Sequence, residues 1–250
     1  MAALGSSRLG EALRKSKAFA WVTRFCFGAS LLLIASGLWR WGAVEVRGHL
    51  DQVFWLSSLG LIGLLVFSRL FSWLGLSIAH DVIERRNPAA LAGLFGGILA
   101  LALIYVGGSL GEGPSYWNNI FSAGLGTFGF FLLWFLLESF GRISNSIAEE
   151  RDLASGIRLC GFLLAAGLML GRAVAGDWHS ESATVHDFLQ DGWPAAALCL
   201  FATGVEWPAR PNRKSPVRPW FSFGLGPAFV YVAIATAWIY HLGRWEGMPL

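Results

Sequence analysis

Long apolar stretches alternate along the chain with short polar turns, and the lengths of the stretches suggest the architecture. A helix needs roughly 20 apolar residues to cross the hydrocarbon core of a bilayer. Runs that qualify are 18–39, 53–76, 88–110, 119–140, 153–175 and 223–241. Another, 193–207, is shorter and opens on Trp193-Pro194, proline being tolerated at a helix start. It either crosses by extending back to Phe188 or is re-entrant. The pattern predicts an all-α, polytopic membrane helical bundle of about seven spans.

Positive charge orients the bundle. With seven spans, one side receives Arg8, Arg14, Lys15, Lys17, Arg85, Arg86, Arg142, Arg151, Arg210, Arg213, Lys214 and Arg218, while the other receives Arg40, Arg47, Arg172 and Arg244. Basic residues gather on the cytoplasmic side, so the N-terminus is expected inside and the C-terminus outside. Were 193–207 re-entrant, the basic stretch 210–218 would move outward and the asymmetry would vanish, which favours seven spans. Trp39, Trp41, Trp55, Trp117, Trp178, Trp193 and Trp245 fall near outer boundaries, and Trp21, Trp207 and Trp220 near inner ones, where amphipathic rings prefer the headgroup level. Trp134 and Trp238 read as core residues.

Composition agrees with lipid as the solvent. Charged residues are only 14% of the chain against 55% hydrophobic, too few charges to cover a water-exposed surface. The net charge of +3 is small and its basic residues are clustered in turns, which does not make a nucleic-acid-binding face. Cys26, Cys160 and Cys199 each sit inside an apolar run and read as free core residues, since no CxxC spacing exists. The basic N-terminal stretch resembles a signal-peptide n-region, but the apolar run after it is too long for a cleaved signal, so it is read as a retained first helix.

Shifting the chain by 65 residues exposes a self-match. Residues 78–112, IAHDVIERRNPAALAGLFGGILALALIYVGGSLGE, align with residues 143–177, ISNSIAEERDLASGIRLCGFLLAAGLMLGRAVAGD. The polar turn carries the match, because I-x-x-x-[VI]-x-E-x-R-[ND] recurs, placing Glu84 against Glu149 and Asn87 against Asp152. Each copy is helix, turn, helix, so both copies should stand the same way up and be related by a rotation about the membrane normal, unlike inverted transporter repeats. The organisation follows: an N-terminal basic segment and first helix (1–52), hairpin repeat 1 (53–112), hairpin repeat 2 (113–178), and an outer loop with two C-terminal helices (179–250).

DVIERRNPAALAGLFGG, followed by ERDLASGIRLCGFLLAAGLMLGRAVAGDW, resembles the bacterial membrane family called domain of unknown function (DUF) 350. The resemblance runs from about Leu56 to Trp178 and implies two copies of a two-helix unit with an Asn-Ala turn after an acidic residue. The second copy departs from it with Asp152 in place of asparagine. The family implies a multi-pass protein of the bacterial inner membrane without an established activity, and gene neighbourhoods that suggest envelope stress.

Several features could carry chemistry. Ala89, Gly93 and Gly97 on one helix, and Gly167, Gly171 and Ala175 on another, give small-residue faces that let backbones approach closely in lipid, within the chain or against a second subunit. The loop 176–192 holds Asp177, His179, Glu181, His186, Asp187 and Asp191, whose spacing matches no metal motif. Val185, Phe188 and Leu189 suggest instead a short helix lying on the outer interface. Arg69, Glu138 and Arg158 lie within apolar runs, where ionisable residues are costly and mark functional sites by default. Their depths predict that Glu138 pairs with Arg158 across its own hairpin with Arg69 nearby, or that each arginine snorkels alone to the headgroups. No nucleophile–base pair, phosphate loop or haem-ligating histidine pair stands out. No enzyme, cofactor or metal site is expected. The reading is a non-enzymatic inner-membrane scaffold or partner subunit, a homo-oligomer or part of a membrane complex. The alternative is a channel or transporter for an ion or small solute, which a polar path between the repeats would favour over a dry, small-residue interface.

Overall fold

The computed structural model describes residues 2–211 and 218–245, with side chains from Lys17 onward. Arg8, Arg14, Lys15, Arg213 and Lys214 of the basic side therefore lie outside the described side chains. Seven long helices and one short one account for the described residues, with no strand among them. They are α1 (Ala2–Trp41), α2 (Leu50–Phe67), α3 (Pro88–Gly107), α4 (Tyr116–Gly141), the short α5 (Ile143–Ala148), α6 (Leu153–Ala173), α7 (Glu181–Ala209) and α8 (Gly226–Leu242). A 3₁₀ stretch, Ser68–Leu74, extends α2, and π-helical turns at Ile78–Glu84 and Phe221–Leu225 precede α3 and α8.

Local sequence explains the helix ends. Asn87 caps α3 by accepting from the amides of Ala89 and Ala90, and Pro88 takes the first helical position, where its missing N–H costs nothing. Asp152 does the same for α6 through the Ser155 amide. Ser115 and Asn118 close a capping box on α4, and Ser180 caps α7. Gly75, at φ 84°, ends the 3₁₀ stretch in the left-handed region that a side chain would strain.

The two turns matched by the 65-residue shift are built alike. The amide of Asn87 bonds the Asp81 carbonyl, and that of Asp152 the Ser146 carbonyl, both pairs being related by the same shift. Arg86 and Arg151 both take left-handed backbone, at φ 53° and 57°. The turns also hold each other: the Asn87 side-chain amide donates to the Ile147 carbonyl at 2.6 Å, and Arg151 donates to the carbonyls of Arg85 and Arg86. At the opposite ends, Gly176 N–H bonds the Leu110 carbonyl and the Glu112 amide bonds the Asp177 carboxylate.

Between these clasps, α3 and α6 run side by side in the same direction at the centre of the molecule. Their contacts keep register from end to end: Gly156 against Ala89, Gly96 against Cys160, Gly167 against Ala100, and Gly171 against Leu103. A Cβ on Gly167 would lie 2.6 Å from the Ala100 Cα, so only glycine permits this approach. Gly93 packs on Leu159, and Gly97 lies under the rings of Phe71 and Trp134. The small-residue faces are thus spent inside the chain. Ala89, Gly93, Gly97, Gly167 and Gly171 each abut another helix of the same chain. Trp134 is fully buried.

Six of the helices are long and apolar enough to cross a membrane. The seventh, α7, is continuous over its 29 residues, about 43 Å at 1.5 Å per residue. It begins with a polar first third and then runs beside α4 in the same direction: Phe188 packs at Gly129, the Cys199 thiol donates to the Leu133 carbonyl, and Glu206 packs at Gly141. No turn-back interrupts it. The short interfacial helix expected around Val185, Phe188 and Leu189 is instead the first part of α7, held by the packing of Phe188 on α4.

Candidate functional site

The most unusual chemistry in the fold is a pair of charges sealed within it. Arg158 has no solvent exposure, and Glu206 has 1%. The guanidinium reaches from α6 to α7 and closes a two-pronged contact with the carboxylate. Arg158 Nε donates to Glu206 Oε1 at 2.5 Å and Nη2 to Oε2 at 2.7 Å. Two further donors are used: Nη1 bonds the Phe223 carbonyl at 2.5 Å, and Nη2 also bonds Ser155 Oγ at 3.1 Å. Ser155 Oγ in turn donates to the Asp152 cap. One arginine therefore ties α6 to α7 and to the π-turn before α8, and the network reaches the α6 N-terminus. Planar, bidentate pairing of this kind is the geometry in which arginine exceeds lysine.

Glu138 does not take part in it as expected. Its carboxylate folds back on its own chain, accepting from the Ser144 amide at 3.0 Å and the Ser144 hydroxyl at 2.5 Å. The left-handed conformation of Arg142, at φ 47°, turns the chain sharply after α4 and brings Ser144 under Glu138. The expected Glu138–Arg158 pair is therefore replaced by Glu206–Arg158. Arg69 stays apart too. It is exposed on the 3₁₀ extension of α2, in a recess shared with Phe27, Ser72 and Ile83, and has no side-chain partner among the described residues. The structure thus does not assemble Arg69, Glu138 and Arg158 into one cluster.

Glu206 is the residue that sequence reasoning missed. Its signal was available: a carboxylate one position before the end of the apolar run 193–207, at a helix end comparable to that of Glu138. Arg24, another charge inside an apolar run, lies with its guanidinium 5.3 Å from the centre of the Trp21 ring on an exposed face of α1. In the turns, Glu84 and Glu149 are exposed, and Glu84 meets His80 at 3.0 Å, while Asn87 and Asp152 are buried caps. The residues of the loop 176–192 are used in local contacts: Asp177 holds Glu112, Glu181 accepts from the Trp117 indole, and Asp191 faces Arg172 at 3.8 Å. Among the described residues no group of three metal-ligating side chains converges.

This arrangement locks helices together. A comparison with curated proteins and with solved structures found no match. Residues 45–174 match the family model described as Domain of Unknown Function (DUF350), a segment that runs from just before α2 to just past α6 and holds Arg158 but not Glu206. With more than half of its 250 residues in that match, this polytopic helical membrane protein belongs to the DUF350 family.

Proposed function

We propose that the chain is a non-catalytic module of the bacterial inner membrane, crossing it seven times with its N-terminus in the cytoplasm and acting as a rigid helical scaffold or partner subunit. The observation that carries this reading is the α3–α6 seam. Its in-register glycine and alanine contacts leave no room for a solute between the two hairpins, where a transporter would need a polar path. The ion pair of Arg158 with Glu206 is a second lock, a structural use of charge that leaves neither group free to bind an ion. Seven crossings are supported by α7 running beside α4, from the level of Gly129 to that of Gly141, as a single helix. The parallel packing of α3 and α6, with their like-built turns, supports duplication of a two-helix unit. An envelope-stress system is the setting that the family resemblance suggests.

The test is purification from native membranes in a mild detergent, with mass spectrometry of the co-eluting proteins and light scattering for stoichiometry. Reconstituted vesicles are assayed in parallel for ion and solute flux. A complex of fixed stoichiometry, with vesicles no leakier than empty ones, is the expected result. Saturable flux of an ion or solute would overturn the scaffold reading in favour of transport.

A further inference from the structure

We infer that the α4–α7 edge carries a binding site for the phosphate headgroup of an anionic phospholipid. Both helices run in the same direction and end level with each other, α4 at Gly141 and α7 at Ala209. Between these ends lies an open recess of about 430 Å³ lined by Ser139, Phe140, Arg142, Trp207 and Arg210. Two arginines therefore line a single recess together with a serine and an aromatic residue from each helix.

The surroundings leave both cations with unused capacity. Arg142 has no side-chain hydrogen bond or ion pair among the described residues, and it holds left-handed backbone at φ 47°, a conformation that glycine or asparagine would adopt more easily. Arg210 donates one nitrogen to the Gly141 carbonyl, yet its Nε is buried with no partner. A buried, unpaired guanidinium N–H calls for an acceptor. Arg218, hydrogen-bonded to the carbonyls of Arg210 and Pro208, adds positive charge beside the recess. Of the nearby carboxylates, Glu206 is neutralised by Arg158, leaving Glu138 to offset one cation through its electrostatic interaction with Arg210.

The aromatics select a lipid over a free anion. Phe140 and Trp207 are 66% and 74% exposed at the end of an apolar helix pair, where such rings sit among acyl chains and headgroups. A phosphodiester in the recess would take hydrogen bonds from the unpartnered Arg142 guanidinium beside the positive charge of Arg210, while its chains lie along Phe140 and Trp207. Basic recesses between helix ends are where anionic headgroups lodge in membrane proteins.

Native mass spectrometry of the full chain in mild detergent tests the assignment. Dioleoyl phosphatidylglycerol, dioleoyl phosphatidylcholine and inorganic phosphate are titrated separately. The expected result is retention of one phosphatidylglycerol about tenfold more tightly than phosphatidylcholine, with phosphate unable to displace it. Arg142→Gly removes the cation while suiting the left-handed backbone, so it should melt no lower than wild type yet lose about fivefold in that preference. Trp207→Ala, on an exposed face, should weaken binding of both lipids. Arg85→Gln, at a different turn, should change nothing. Equal retention of the two lipids by wild type, displacement by phosphate, or a preference untouched in Arg142→Gly would each overturn the site.

Discussion

Removing one half of the Arg158–Glu206 pair should cost far more than removing both. The pair is sealed, at 0% and 1% exposure, and its two contacts of 2.5 and 2.7 Å are supplemented by Phe223 and Ser155. Arg158→Leu leaves the Glu206 carboxylate buried with no cation. Glu206→Leu leaves a guanidinium holding only a carbonyl and a hydroxyl. Breaking a buried pair from one side typically costs roughly 3–5 kcal/mol, whereas replacing both members by apolar groups is often close to neutral. The double variant should therefore lie within about 2 kcal/mol of wild type, giving a coupling energy of at least about 4 kcal/mol. Equilibrium unfolding in mixed micelles of dodecyl maltoside and increasing dodecyl sulfate, followed by tryptophan fluorescence, measures all four proteins. Additive single effects would refute the pairing. A parallel cycle with Glu138→Gln and Arg158→Leu should be additive, because the Glu138 carboxylate is spent on Ser144.

Other outcomes follow from the caps, the seam and the topology. Asn87→Ala removes the cap of α3 and also strips the Ile147 carbonyl of its donor, so it should cost about 2–3 kcal/mol in the same unfolding assay. Asp152→Ala loses the bonds from both the Ser155 amide and the Ser155 hydroxyl and should cost about 1–2 kcal/mol, and a larger effect than at Asn87 would contradict the geometry. Gly167→Ala forces a methyl against the Ala100 backbone and should destabilise by roughly 1–3 kcal/mol without changing the oligomeric state by light scattering. A cysteine placed at Glu149 should resist an impermeant thiol reagent in intact cells while one placed at Ser182 reacts, and the reverse pattern would invert the proposed topology.

Much of the fold was legible because it depends on local rules. Runs of about 20 apolar residues become helices in lipid, since every backbone polar group must be satisfied within its own segment. Asn87-Pro88 and Asp152 announce helix starts by the chemistry of their side chains, and the turn motif repeated at 65 residues does build two like-hydrogen-bonded turns. The small residues of α3 and α6 indicated close approach, though not that each helix would approach the other. Glu206 escaped notice for a related reason. Its run, 193–207, is short, and the continuity of α7 back to Glu181 depends on Phe188 packing over Gly129, a contact between segments far apart in sequence.

The depth of a charge in the bilayer is fixed by counting residues along one helix, and Arg158 was placed near the end of its span by that count. Its partner is a matter of azimuth and neighbourhood. Glu138 and Glu206 both stand near the ends of helices level with Arg158, and depth alone does not separate them. Packing separated them. The left-handed turn at Arg142 swings Ser144 back to occupy Glu138, while α7 lies in the groove beside α6 and presents Glu206 to the guanidinium. Sequence by itself determined which runs form helices and, through Asn87 and Asp152, where α3 and α6 begin. The identity of each buried charge's partner was decided only when the helices took their places, because a buried ion must be neutralised by whatever group lies within about 3 Å.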